Sequence, residues 1–229
     1  MTSKQTIVES LPTIIQSLNL ISNEGGKSVN LAGKGVSLFL YHESILNDTV
    51  RASIEYVDTG SNFQTSDNKN VRESLPIVGT EKVEIKLADN NNTKIGDSPK
   101  LNLYVNKVTP IGDDARKTAV RLDLVSKEFL LNEKIRLRTR FDGRISDHIN
   151  KILTENIPDG LQTEKNVDIE ETQNNVNFIS NNKKSFWTLN WLSKKAVSQQ
   201  NQKKGVSAGY FFYETSEGFF FKSIDGLLA

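Results

Sequence analysis

The chain has 229 residues, with 29 Lys plus Arg against 28 Asp plus Glu, no cysteine and two histidines. Without cysteine there is no disulfide scaffold, zinc ribbon, iron–sulfur cluster or thiol nucleophile, and His42 and His148 alone cannot build a multi-histidine metal centre. The near-cancelled charge argues against tight phosphate binding, no apolar run is long enough to span a bilayer, and the N-terminus lacks the hydrophobic segment of a secretory signal.

Ile7, Leu11, Ile14, Ile15 and Leu18 are spaced as on a short amphipathic helix, followed by a glycine-rich break at Asn23–Lys27, so residues 1–34 are expected to form an N-terminal arm. From residue 35 the pattern changes to period two. Val36, Leu38 and Leu40 alternate with Ser37, Phe39 and Tyr41, and Ala52, Ile54 and Tyr56 with Ser53, Glu55 and Val57. Val83–Leu87, Leu101–Val105 and Val120–Leu124 repeat the alternation, which marks half-buried strands. Polar loops separate them, and Ser126–Asn132 reads as a short helical link. The crossover helices of a parallel sheet are missing, so residues 35–140 are expected to form an antiparallel barrel or sandwich.

After Phe141-Asp142-Gly143 the texture changes. Ile145, Ile149, Ile152 and Leu153 predict a helix over 144–154, and Ile157-Pro158-Asp159-Gly160 ends it. Asn166–Ile179 reads as extended. Ser185 can cap a helix over 186–200 with Phe186, Leu189, Leu192 and Ala196 inward. A hairpin closes the chain, Gly209–Thr215 and Phe219–Ile224 around Ser216-Glu217-Gly218. It carries Tyr210, Phe211, Phe212, Tyr213, Phe219, Phe220 and Phe221, so both of its faces are aromatic and both need covering. The second domain, 141–229, is thus mixed α/β.

Short motifs carry little chemistry. Glu24-Gly25-Gly26-Lys27-Ser28 lacks the first glycine of a phosphate loop, because Ile21 stands there. Asp147 and His148 are neighbours on a helix and cannot act together, so a solvated face is expected. His42-Glu43-Ser44 reads as a strand end, and no nucleophile elbow exists. Asp113-Asp114 and Glu170-Glu171 are read as ordinary surface. Lys134, Arg136, Arg138 and Arg140 would share one face of an extended chain, either a site for DNA or an acidic partner or, by preference, a solvated strand face. No catalytic, cofactor or metal residues are assigned, and no enzyme activity is expected. The 23 asparagines, clustered at Asn90–Asn92, Asn174–Asn177 and Asn181–Asn182, favour turns, though an AT-rich genome accounts for the larger share of them.

Three segments in order carry a resemblance. They are Tyr41-His42-Glu43-Ser44-Ile45-Leu46 with Val50–Gly60; Leu75-Pro76-Ile77-Val78-Gly79-Thr80-Glu81-Lys82-Val83; and Ser185-Phe186-Trp187 with Trp191–Ala196 and the hairpin through Ile224. This order resembles the baseplate hub proteins of T4-like contractile-tailed phages over roughly residues 30–226. The resemblance implies a structural virion protein of the tail baseplate with two tail-tube-like β domains. It implies a homotrimer that mimics a six-fold ring, joins the tail tube or tube-initiator proteins to a three-fold central spike, and lets DNA pass without specific binding. Phe211, Tyr213, Phe219 and Phe221 are the expected subunit interface. Such hubs usually continue well past this hairpin, so a truncated frame, a split gene or a short variant is expected. The other reading is a β module that binds carbohydrate or peptide through Trp187, Trp191 and the aromatic hairpin.

Overall fold

A computed structural model describes residues 14–23, 27–33, 35–59, 71, 75, 77–88, 100–114, 117–157, 159–199 and 209–228. Ile7, Leu11 and Pro12 of the expected arm helix, and the Ser61–Asn70 loop, lie outside them. The chain forms two compact units, one from Met1–Leu38 and Ile54–Leu122, the other from Phe39–Ser53 and Asp123–Ala229. The division falls inside three strands.

Seven strands make one sheet: β1 (Ile14–Ile21), β2 (Ser28–Asn30), β3 (Val36–His42), β4 (Arg51–Asp58), β5 (Lys82–Ala88), β6 (Leu101–Asp114) and β7 (Lys117–Val125), in the order β2-β1-β5-β6-β7-β4-β3. The first unit's core is the inward parity of these strands: Leu18, Leu20, Val29, Ile54, Tyr56, Val83, Ile85, Leu103, Val105 and Leu122 are all buried. The alternation was therefore read correctly for β4 to β7. It was misread at the N-terminus. Ile14, Ile15 and Leu18 lie on a strand rather than a helix, because β1 pairs antiparallel with both β2 and β5, and a bulge between Ile15 and Ser17 breaks strict alternation. Apolar residues around that bulge imitate helical spacing. Ser22 donates to the Lys27 carbonyl at 2.8 Å where β1 turns into β2.

The segment leading into β5 is a built turn. The buried Glu81 carboxylate accepts from the backbone of Val78 (2.8 Å) and Gly79 (2.9 Å), while Gly79 and Thr80 both adopt positive φ. Val78 is left 84% exposed at its tip.

In the second unit, α1 (Lys127–Lys134) is capped locally, with Ser126 accepting from Phe129 N at 3.3 Å. The helices α2 (Ile145–Thr154) and α3 (Ser185–Ser193) are capped from a distance instead. Thr172 Oγ1 accepts from Ser146 N at 2.9 Å, and Asn132 Oδ1 accepts from Phe186 N at 2.8 Å. Ser185 is thus the first helical residue rather than the cap, and its hydroxyl is buried without a hydrogen-bond partner. The other strands are β8 (Arg140–Phe141), β9 (Asn166–Ile169), β10 (Phe178–Ile179), β11 (Tyr210–Thr215) and β12 (Gly218–Ser223), and α4 (Ile224–Leu228) ends the described chain. One core joins α2, α3 and the hairpin: Ile145, Ile149, Ile152, Phe186, Leu189, Leu192, Phe212, Phe219 and Phe221 belong to it.

Candidate interaction site

The hairpin forms a three-stranded sheet in the order β11-β12-β9. Only Ser216 and Glu217 lie between β11 and β12, where three loop residues were expected, and Gly218 begins β12. Its φ is +147°, and a Cβ there would stand 2.2 Å from the Asn166 carbonyl oxygen. Glycine is required because β9 runs parallel to β12 and pairs Asn166 with Gly218. That parallel pair was not expected from sequence.

Register sorts the aromatic residues. Phe212 faces Phe221 and Glu214 faces Phe219 across the hairpin, while Tyr213 faces Phe220 and Phe211 faces Lys222. Residues opposite each other share a face. Tyr210, Phe212, Phe219 and Phe221 therefore point into the unit's core, and Phe211, Tyr213 and Phe220 point the other way. Of the four interface candidates, Phe219 and Phe221 are fully buried in that core. Phe211 is half-buried and Tyr213 is 7% exposed on the outward face, stacked on Phe220 at 5.3 Å. Lys222 and Asp168 form a 2.6 Å ion pair on this same face.

Glu214 is the charged residue of the inward face, and its side chain is fully buried. It accepts from Val50 N at 3.0 Å and is paired with the Lys165 ammonium. Lys165 also lies 3.2 Å from Glu128 Oε2, an ion pair rather than an aligned hydrogen bond, and Thr163 donates to Glu128 Oε1 at 2.6 Å. Burial pushes the Glu214 pKa up despite Lys165. Burial works the other way on Lys165, yet the two carboxylates outweigh it and raise its pKa. Glu170 shows the opposite balance to Glu214. Burial raises its pKa, but hydrogen bonds from Ser223, Ser198 and Tyr210 outweigh burial and hold it below the usual range. The acidic pair Glu170-Glu171 is therefore not ordinary surface; Glu170 knits β9, β11 and β12 to Ser198.

The two tryptophans are brought together on α3. Trp187 is 50% exposed and its ring lies parallel to that of Trp191, 6.3 Å away and 8° off. Lys183 Nζ lies 5.0 Å from the Trp187 ring centre and Lys195 Nζ 5.1 Å from that of Trp191. The order 183, 187, 191, 195 makes a ladder, the tryptophans one turn apart on α3 and the lysines just beyond its two ends. Its period of four was present in the sequence and went unread. Phe178 meets Trp191 edge-on at 5.1 Å and stacks on Phe141. A groove of about 450 Å³ opens here, lined by Phe178, Ile179, Lys183, Trp187 and Trp191, with Asn181 at its lip. Asn181 and Asn182 both take positive φ in the turn that forms the lip, as their clustering suggested.

His148 departs from the solvated helix face expected of it. It is buried, its Nε2 donates to the Val176 carbonyl at 2.8 Å, and its ring sits edge-on to Phe141 and Phe178. The basic stripe keeps the alternation of a solvated face, with Lys134, Arg138 and Arg140 exposed and Leu137 buried, and Arg136 donates to backbone carbonyls at the end of α1. Arg138 donates to Asn182, and Arg140 makes a fork with Asp142. Glu43 accepts from Tyr41 (2.9 Å) and Ser216 N (2.8 Å), so His42-Glu43-Ser44 is a strand end tied to the hairpin turn. Among the described residues no cluster of three His, Asp or Glu could hold a metal ion.

No family model matches the chain, and no curated protein matches it in sequence. Solved structures do match. The 43 kDa tail protein of prophage MuSo2 from Shewanella oneidensis is similar with a TM-score of 0.56 at 12% identity, over 90% of this chain and 54% of that one. The tail protein from Neisseria meningitidis MC58 is similar with a TM-score of 0.53 at 10% identity, over 92% of this chain and 51% of that one. The chain spans about half the length of these structures. The mainly β, α+β architecture read from the sequence is thus a fold shared with phage and prophage tail proteins.

Proposed function

We propose that this chain is a structural subunit of a contractile phage tail, acting at the baseplate hub. In this reading three copies form a ring that adapts the six-fold tail tube to a three-fold central spike and surrounds the DNA channel. The fold likeness to tail proteins over nine-tenths of the chain carries the reading. Supporting it are the ordered sequence segments quoted above and a site region made of packing and ion pairs rather than nucleophile and base. Two tube-like domains per subunit, passage of DNA without specific binding, and contacts to tube or tube-initiator and spike proteins belong to this proposal. Its subunit contact falls on the outward hairpin face at the partly exposed Phe211 and Phe220, with Tyr213, only 7% exposed, packed beneath them.

The test is co-expression with the tail-tube and spike proteins of the same phage, followed by mass photometry and negative-stain microscopy. A trimeric ring bound at one end by tube and at the other by spike is expected. A chain that stays monomeric and associates with neither overturns the proposal.

A further inference from the structure

The groove beside α3 has a composition that selects its occupant. Its walls are apolar: Phe178, the half-exposed Trp187, the indole of Trp191 and Ile179, which is 58% exposed. No carboxylate lines it. Lys183 and Lys195, one at each end of the tryptophan ladder, pair with no carboxylate among the described residues, whereas neighbouring Lys184 is neutralised by Glu133 at 2.5 Å. An apolar trough with one uncompensated lysine, Lys183, in its wall and a second, Lys195, over the ring of the wall residue Trp191 calls for a ligand with an apolar side chain and negative charge beside it.

Three ligand classes could meet tryptophan and lysine, and the geometry separates them. A pyranose ring stacks on a free indole face. Here each indole already has a parallel indole and a lysine against its ring, and a sugar would have to displace one of them to stack fully. A bilayer meets a protruding aromatic surface, whereas this one is concave. A peptide side chain fits a trough of this size, and flanking Asp or Glu side chains can reach the ammonium groups. We propose that the groove between β10 and α3 is a docking site for an acidic segment of a partner protein, which inserts one aliphatic or aromatic side chain between Phe178 and the indoles and pairs its carboxylates with Lys183 and Lys195. The inference does not rest on the tail reading, and it narrows the carbohydrate-or-peptide reading of these tryptophans to an acidic peptide.

Trp187 and Trp191 are the two tryptophans of the chain, so intrinsic fluorescence reports on this site alone. The probes are synthetic eight-residue peptides with one central Leu, Phe or Trp-free aromatic flanked by Asp and Glu. The same peptides with Lys in place of the acids, chitohexaose, and phosphatidylglycerol vesicles serve as comparisons. Acidic peptides are expected to shift indole emission saturably. The combined Lys183→Gln and Lys195→Gln variant, whose far-UV circular dichroism should match the parent because both residues are exposed, should bind roughly tenfold more weakly. Raising the salt concentration should weaken the parent's binding and leave the variant's nearly unchanged. No saturable shift with acidic peptides at millimolar concentration, equal binding of the basic peptides, or stronger binding of the oligosaccharide or vesicles overturns the proposal. A concentration-dependent emission change without ligand that persists in the Phe211→Asp variant, which would show a second copy in the groove, also overturns it.

Discussion

Replacing Lys165 by methionine isolates the energetic role of the buried carboxylates. The substitution keeps most of the aliphatic stem beside Phe219, over whose ring the ammonium lies at 5.6 Å, and removes only the charge. Glu214 and Glu128 are then left with side chains 0% and 4% exposed and no cation between them. Their hydrogen bonds from Val50 N and Thr163 persist but supply no charge. Taking one partner from a buried ion pair costs about 3–5 kcal/mol, a large share of the roughly 5–15 kcal/mol that holds a typical domain. The loss should show in urea denaturation at pH 7. It should shrink as pH falls. The folded pKa of Glu214 is already raised, so the folded state takes up a proton before the unfolded state does. The variant therefore gains stability as pH drops from that raised value toward 4.5, the ordinary value of the group. In the parent, the raised Lys165 pKa means that the lysine's share of the pair is complete below pH 10.5, until Glu214 itself takes up a proton at acid pH, and is lost as pH climbs through the folded value of Lys165. Adding Glu128→Gln and Glu214→Gln to Lys165→Met should recover much of the loss, because the amide oxygens can still accept from Thr163 and Val50. A cost below about 1 kcal/mol at pH 7, or one equal at pH 4 and pH 7, would refute the reasoning.

Four other outcomes are expected. Gly218→Ala should cost more than about 2 kcal/mol and selectively raise amide exchange in β9 and β12, since the added methyl meets the Asn166 carbonyl at 2.2 Å; uniform or unchanged exchange would contradict this. Glu81→Ala should lower stability by about 1–3 kcal/mol in chemical denaturation by leaving the Val78 and Gly79 amides without their acceptor, with Glu81→Gln closer to the parent. Phe219→Ala should cost about 3–5 kcal/mol as a cavity in the core. Phe211→Asp should leave the monomer within about 1 kcal/mol of the parent while abolishing any ring seen by mass photometry.

Strands β4 to β7 were legible in the sequence because a half-buried strand writes its burial directly as period-two alternation. So were α2, whose apolar residues recur at one turn, and the hairpin, whose aromatic runs flank a turn. Mainly β architecture follows from those elements without any long-range information. The tryptophan ladder was legible too, as lysine, tryptophan, tryptophan and lysine spaced four apart.

Other features depend on groups distant in sequence. β1 imitates a helix because its bulge shifts the parity, and only pairing with β5 reveals the strand. The ends of α2 and α3 are closed by Thr172 and Asn132, so no local capping signal could mark them. His148 looked like surface until β10 and the carbonyl of Val176 covered it. The two aromatic faces of the hairpin are equivalent in sequence, and the side that α2 and α3 cover decides that Phe219 and Phe221 are core while Phe211 remains partly exposed. Length, charge and alternation determined what kind of fold this chain makes. Which of its aromatic, basic and acidic side chains stay available to a partner was decided only by tertiary packing, because burial and ion pairing are properties of neighbours that the chain brings together from far apart.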